Sequence, residues 1–148
     1  PVSSTAIRAA ITGGDLAAAR RFLGRYPGAL GVVVHGDARG RTLGFPTANV
    51  ELQQGALPPN GVYAVEAFVD GETHPAVANL GTRPTFRGDD VERHLEVHVL
   101  DFGGDLYGRE LEVTFRQLLR DERRFDSADE LKAQIARDVA AARTALRA

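Results

Sequence analysis

The stretch His35-Gly36-Asp37-Ala38-Arg39-Gly40-Arg41-Thr42-Leu43-Gly44-Phe45-Pro46-Thr47-Ala48-Asn49 carries the densest chemical information in the sequence. Gly36, Gly40 and Gly44 recur at every fourth position, and glycine lets backbone N–H groups approach phosphate oxygens closely. Arg39 and Arg41 add positive charge. A Walker A loop is excluded, because three residues rather than four separate Gly36 from Gly40, Arg41 stands where Lys belongs, and Pro46 forbids a long helix. The same glycines also fit a surface loop between strands. Pro46 stiffens the entry to an extended stretch in which Thr47 and Asn49 point to one face. Their hydroxyl and amide oxygens are hard neutral donors, suited to a Mg²⁺ that also keeps waters and phosphates. Turn formation would use the same two residue types.

A second constellation lies in His94-Leu95-Glu96-Val97-His98-Val99-Leu100-Asp101. Strand alternation puts Leu95, Val97 and Val99 on one face and His94, Glu96 and His98 on the other. Same-face neighbours along a strand stand about 6 to 7 Å apart, which spreads three ligands too widely for one zinc ion. Glu96 is then either a solvated strand residue or a carboxylate turned toward a site. In Leu119-Arg120-Asp121-Glu122-Arg123-Arg124-Phe125, Arg120 and Phe125 offer a cation and a ring, which could either stack on a flat ligand or anchor a charged loop. His35 and His74 read as strand-end residues.

These groups need elements to hold them. Residues 3 to 25 read as helical: Ser3, Ser4 and Thr5 supply caps, and Ala6, Ile7, Ala10 and Ile11 recur at helical spacing. Gly13-Gly14 breaks the pattern, Asp15 caps a second short helix, and Tyr26-Pro27-Gly28 ends it. From there to about residue 116 the period changes to two. Strands are expected at Val32 to His35, Gly61 to Val69, His74 to Leu80, His94 to Asp101 and Glu110 to Arg116. Turn residues separate them at Pro58-Pro59-Asn60-Gly61, Asp70-Gly71, Arg87-Gly88-Asp89-Asp90 and Gly103-Gly104-Asp105. Five or six such strands predict an antiparallel sheet, and closing it into a barrel would remove its edges. Asp126-Ser127 caps a terminal helix whose Ala128, Leu131, Ile135, Val139 and Ala142 form an apolar stripe to dock on the outside of the sheet.

The whole chain sets limits on what these parts can do. Its 148 residues carry 18 basic and 20 acidic side chains, a net charge of −2, which argues against broad electrostatic binding of nucleic acid or anionic membrane. No apolar run approaches the roughly 18 residues of a membrane span. The opening PVSSTAIRAA lacks the basic-then-apolar pattern of a secretion signal, so an intracellular, cytoplasmic setting is expected. With no Cys, thiol nucleophiles, disulfides and thiolate zinc sites are excluded. Met is absent too, which fits a removed initiator or a piece of something longer.

Gly40-Arg41-Thr42-Leu43-Gly44-Phe45-Pro46-Thr47-Ala48-Asn49, followed by Gly61-Val62-Tyr63-Ala64-Val65, resembles riboflavin kinase. So do Ala78-Asn79-Leu80-Gly81-Thr82-Arg83-Pro84-Thr85-Phe86, Leu106-Tyr107-Gly108 and the Phe125-Asp126-Ser127 helix start. The match runs in order over roughly residues 30 to 140. The resemblance implies a six-stranded antiparallel Greek-key barrel, with short N-terminal helices and one long C-terminal helix. It implies the reaction ATP + riboflavin → ADP + FMN, with Glu96 as general base and Thr47 and Asn49 as ligands of Mg²⁺ and phosphate. Gly36, Arg39, Gly40, Arg41, Gly44, Phe45 and Pro46 would join Thr47 and Asn49 in binding ATP, and Arg120 and Phe125 would join Glu96 on the riboflavin side. Val2-Ser3-Ser4-Thr5-Ala6-Ile7-Arg8 resembles the last motif of the adenylyltransferase domain that precedes the kinase in bifunctional bacterial FAD synthetases. Residues 1–27 are therefore expected to be a helical remnant or linker of that covalently linked domain, and 28–148 the kinase domain. No second nucleotide motif is present, so FMN and not FAD is the expected product.

Three other readings compete. A flavin- or nucleotide-binding module would have no use for a base at Glu96. A degenerate structural domain would not need Pro46-Thr47-Ala48-Asn49 and Glu96. A nucleic-acid-binding barrel would need a basic face and exposed aromatics, whereas only 7% of residues are aromatic.

Overall fold

Alternation of apolar residues is the organising feature of the chain, and the computed structural model describes residues 3–35, 46–53, 55–84 and 91–147 of it. Two short helices come first, α1 (Ser4–Thr12) and α2 (Leu16–Leu23). Ser3 Oγ accepts the N–H of Ala6 and Asp15 Oδ1 accepts that of Ala18, so each helix starts on a side-chain cap. Gly24 ends α2 in the left-handed region at φ 76°, three residues before the Pro27 that the sequence marks as the stop.

Six strands follow: β1 (Gly28–Val34), β2 (Ala48–Leu52), β3 (Gly61–Val69), β4 (Glu72–Pro84), β5 (Val91–Val99) and β6 (Glu110–Arg120). They close into an antiparallel barrel in the order β1-β2-β5-β4-β3-β6. Closure leaves no exposed sheet edge. The strand the period-two reading did not delimit is β2. It does alternate, with Ala48, Val50 and Leu52 apolar and Asn49 and Glu51 polar, but over only five residues. β1, β4 and β6 also run several residues further than alternation alone marks, because neighbouring strands complete their hydrogen bonds.

The expected inward faces fill the barrel. Tyr63, Val65, Leu95, Val97, Leu111, Val113 and Phe115 are almost wholly buried there. The Tyr63 and Phe115 rings meet edge to face at 5.2 Å, and Tyr63 donates its hydroxyl to the carbonyl of Pro59. The β3–β4 hairpin turns on Asp70 and Gly71, both at positive φ (50° and 81°), the backbone a tight hairpin requires. At Gly31 the strands come so close that a Cβ would sit 2.2 Å from the carbonyl oxygen of Glu51 on β2.

The terminal helix α3 (Ala128–Arg147) lies on the outside, against β3, β4 and β6. Its start is fixed by Ser127 Oγ accepting from Glu130 N–H while the Glu130 carboxylate accepts from Asp126 N–H. The helix explains why Val62 and Ala64, on the outer face of β3, are buried as completely as the inward residues. Tyr26 stitches α2 to the barrel, its ring lying between the guanidinium groups of Arg20 and Arg116 at 4.8 and 4.4 Å.

Candidate functional site

Strand register joins the polar candidates into one row. On the outer surface, Val34 of β1 pairs with Asn49 of β2, Asn49 with Glu96 of β5, Glu96 with Asn79 of β4, Asn79 with Val62 of β3, and Val62 with Arg120 of β6. Adjacent strands are about 4.8 Å apart, so Arg120 lies up to roughly 14 Å around the barrel from Glu96. Residues from all six strands thus share one belt.

One end of that belt opens on a cavity of about 640 Å³. Val33, Val34 and His35 from the end of β1, Pro46 to Asn49 entering β2, and Val97 and Val99 of β5 line it, facing the segment 102–107. That segment is tied down: Gly108 N–H donates to Val33 C=O, Val33 N–H donates to Arg109 C=O, and Asp105 caps the N–H of Tyr107. The rings of Tyr107 and His35 stack at 3.8 Å, with Tyr107 53% exposed. The sequence marks His35 only as a strand-end residue and Tyr107 only as part of a motif. Their meeting depends on the 106–109 turn, which no local pattern announces.

Asn49 is 6% exposed, and its Oδ1 has no hydrogen-bond donor among the described residues. A buried amide oxygen without a partner is costly unless something absent from the protein chain supplies one. With the Thr47 hydroxyl two residues away in the same wall, the donor set is two neutral oxygens beside a polar cavity. That fits a hard cation which draws its remaining ligands from water and phosphate. Among the described residues there is no group of three or more His, Asp or Glu that could hold a metal ion.

Glu96 stands beside Asn49 rather than in the cavity wall. Its Oε1 lies 3.0 Å from Nε2 of His94. The segment after β6 crosses the barrel toward this place. The Glu122 carboxylate lies against Gly81, the register partner of His94. Arg120, at the end of β6, is gripped by both oxygens of the buried Asp138 on α3 at 2.9 Å, and Gln134 donates to the same carboxylate. The ring of Phe125 has Arg120 and Arg123 over it at 5.6 and 4.6 Å. So the cation and the ring do meet, but the cation's hydrogen bonds go to Asp138 of α3 and to the carbonyl of Asp121. Gly36, Arg39, Gly40, Arg41, Gly44 and Phe45 lie outside the described residues, as does the turn at 87–90.

Compared with known proteins, residues 23–146 match the family described as flavokinase, riboflavin kinase. The chain belongs to the riboflavin kinase family. It is 54% identical over 143 residues to the bifunctional riboflavin kinase/FMN adenylyltransferase of Escherichia coli (strain K12), covering 96% of this chain and 45% of that protein. The protein of the same name from Bacillus subtilis (strain 168) is 43% identical over 139 residues, covering 93% and 44%. The chain therefore spans a little under half the length of these relatives. Among solved structures, a riboflavin kinase from Trypanosoma brucei superposes with a TM-score of 0.56 at 25% identity, covering 81% of this chain and 79% of that one. A structure described as a macrolide-efflux protein from Streptococcus pneumoniae superposes with a TM-score of 0.88 at 40% identity, covering 96% and 46%. No helix among the described residues is long and apolar enough to cross a membrane. The six-stranded barrel with its C-terminal helix is thus the fold expected of the riboflavin kinase family.

Proposed function

We propose that this chain phosphorylates the 5′-hydroxyl of riboflavin with ATP, giving FMN and ADP. The observation that carries the reading is the pairing of Glu96 with Asn49, whose buried, unpartnered Oδ1 borders the cavity. It sets a carboxylate one strand away from a pair of oxygens suited to a metal–phosphate complex.

The nucleotide occupies the cavity, its base near the His35–Tyr107 ring pair and its phosphates toward Thr47 and Asn49. Gly36, Arg39, Gly40, Arg41, Gly44, Phe45 and Pro46 contribute the rest of the ATP site. Thr47 Oγ1 and Asn49 Oδ1 would hold Mg²⁺, which when bound neutralises phosphate charge. Riboflavin lies along the outer belt with its ribityl end at Glu96 and its ring toward Phe125. Arg120, held by Asp138, lines the same side and fixes the approach of Phe125. The ribityl oxygen attacks the γ-phosphorus in line, the bond to the β–γ bridging oxygen breaks, and the hydroxyl proton passes to the Glu96 carboxylate. Such a transfer depends on positioning and on electrostatics, with little covalent work for the protein. Near the metal a further carboxylate would repel the phosphates, which favours the neutral ligands.

Residues 1–27 are a linker from a preceding adenylyltransferase domain, in a parent protein about twice as long, and 28–148 are the kinase domain. The relatives' length supports this. A cytoplasmic setting belongs to the same proposal. The test is chromatography of a mixture of riboflavin, ATP and Mg²⁺. FMN should form without FAD, and Glu96→Gln should lower kcat by roughly 10² while ATP affinity stays within a few-fold. A kcat within threefold of the parent where chemistry limits the rate would reduce Glu96 to a solvated strand residue.

A further inference from the structure

We propose that His94 is a positioning residue, whose imidazole holds the Glu96 carboxylate in the orientation that accepts the substrate proton. The proposal rests on the reading of Glu96 as the base. His94 and Glu96 are two residues apart on β5, so both side chains leave the outer face of the barrel. Their 3.0 Å contact joins groups that are 17% and 30% exposed, a half-sheltered pair rather than a surface one. In the proposed arrangement Nε2 carries the hydrogen and Glu96 Oε1 accepts it.

The surroundings favour this arrangement. Opposite His94 on β4 stands Gly81, which has no side chain and so leaves room beside the imidazole. The Glu122 carboxylate reaches that place, where a Cβ on Gly81 would lie 2.6 Å from Oε2, and the contact His94 makes is nonetheless with Glu96. A glutamate on a strand otherwise turns about three side-chain torsions, whereas a base must stay within hydrogen-bond reach of its proton. The His94 bond occupies Oε1, restrains those torsions and leaves Oε2 for the hydroxyl.

Steady-state kinetics on the whole chain, under conditions where chemistry limits, tests the proposal. His94→Ala should lower kcat about tenfold, with KM for ATP and riboflavin within about twofold. His94→Gln, whose amide offers an N–H, should recover most of that loss. In the Glu96→Gln background, His94→Ala should cost nothing more, since it acts through Glu96. Without any turnover, ¹⁵N spectra of histidine-labelled protein should show His94 protonated at Nε2, and Glu96→Gln should shift that tautomer balance. Parental kcat in folded His94→Ala, a fully additive loss in the double variant, or an unprotonated Nε2 would overturn the proposal. Parental kcat in Glu96→Gln overturns the base reading and this one with it. An impaired Glu96→Gln beside an unimpaired His94→Ala overturns the role of His94 alone.

Discussion

Asn49 on β2 and Glu96 on β5 are register partners in the barrel wall, although 46 positions separate them in the chain. Directly opposed residues of an antiparallel pair have Cα atoms about 4.5 to 5.5 Å apart and share a face. Moving either strand by one residue would turn one of the two into the barrel interior. The relationship between the proposed metal ligand and the proposed base is therefore a property of register and does not depend on any loop.

Asn49→Ala and Thr47→Ala should each lower kcat/KM for Mg–ATP by about 10². Asn49 Oδ1 has no donor among the described residues, so removing it forfeits no hydrogen bond within them, and the thermal midpoint should change little. Titration of activity with Mg²⁺ at fixed ATP, beside a melting curve, checks both halves. Near-parental turnover at low Mg²⁺ in both variants would take these residues out of the site.

The Arg120–Asp138 pair predicts an asymmetric stability pattern. Asp138 is 5% exposed and accepts from Nε and Nη2 of Arg120 and from Gln134. Arg120→Ala leaves a buried carboxylate short of its main partner and should destabilise the fold by about 3 to 5 kcal/mol. Arg120→Leu combined with Asp138→Leu should recover most of the loss, as read from urea unfolding. If Arg120 also contacts flavin, the double variant will regain stability but not riboflavin affinity.

Acid should weaken the fold through His98 first. Burial, aided by the nearby Arg143, holds its pKa below the ordinary 6.5. A depressed folded value means stability that is complete above the unfolded value and lost as the pH falls from there through the folded value. His98→Asn should therefore flatten the decline in melting temperature between about pH 7 and pH 5. Asp101 acts lower. Its hydrogen bonds from Arg143 hold it below the ordinary 3.8, so its contribution persists above that value and fades in stronger acid. An unchanged slope in His98→Asn would assign the pH 7 to 5 decline elsewhere.

Gly31→Ala links packing to the site. Its Cβ would meet the Glu51 carbonyl oxygen at 2.2 Å, so β1 and β2 must part. A loss of about 1 to 3 kcal/mol is expected. Because β2 carries Asn49, KM for ATP should rise more than KM for riboflavin. Equal changes in the two would mean that the strain is absorbed away from β2.

The sequence by itself determined the period-two strands, the Asp70-Gly71 hairpin, the capped helices and the choice of inward residues, since each is set by neighbours a few positions away. It also marked Thr47, Asn49 and Glu96 through motif resemblance, but not as partners. Tertiary structure alone decided the row Asn49–Glu96–Asn79–Val62–Arg120, because register between distant strands is fixed by barrel closure. It decided that Arg120 is held by Asp138, a contact made only when α3 lies across β3, β4 and β6. It also brought Tyr107 onto His35 and Glu122 onto Gly81. Local pattern reports which face a residue takes, whereas only the closed barrel decides which residue from another strand stands beside it.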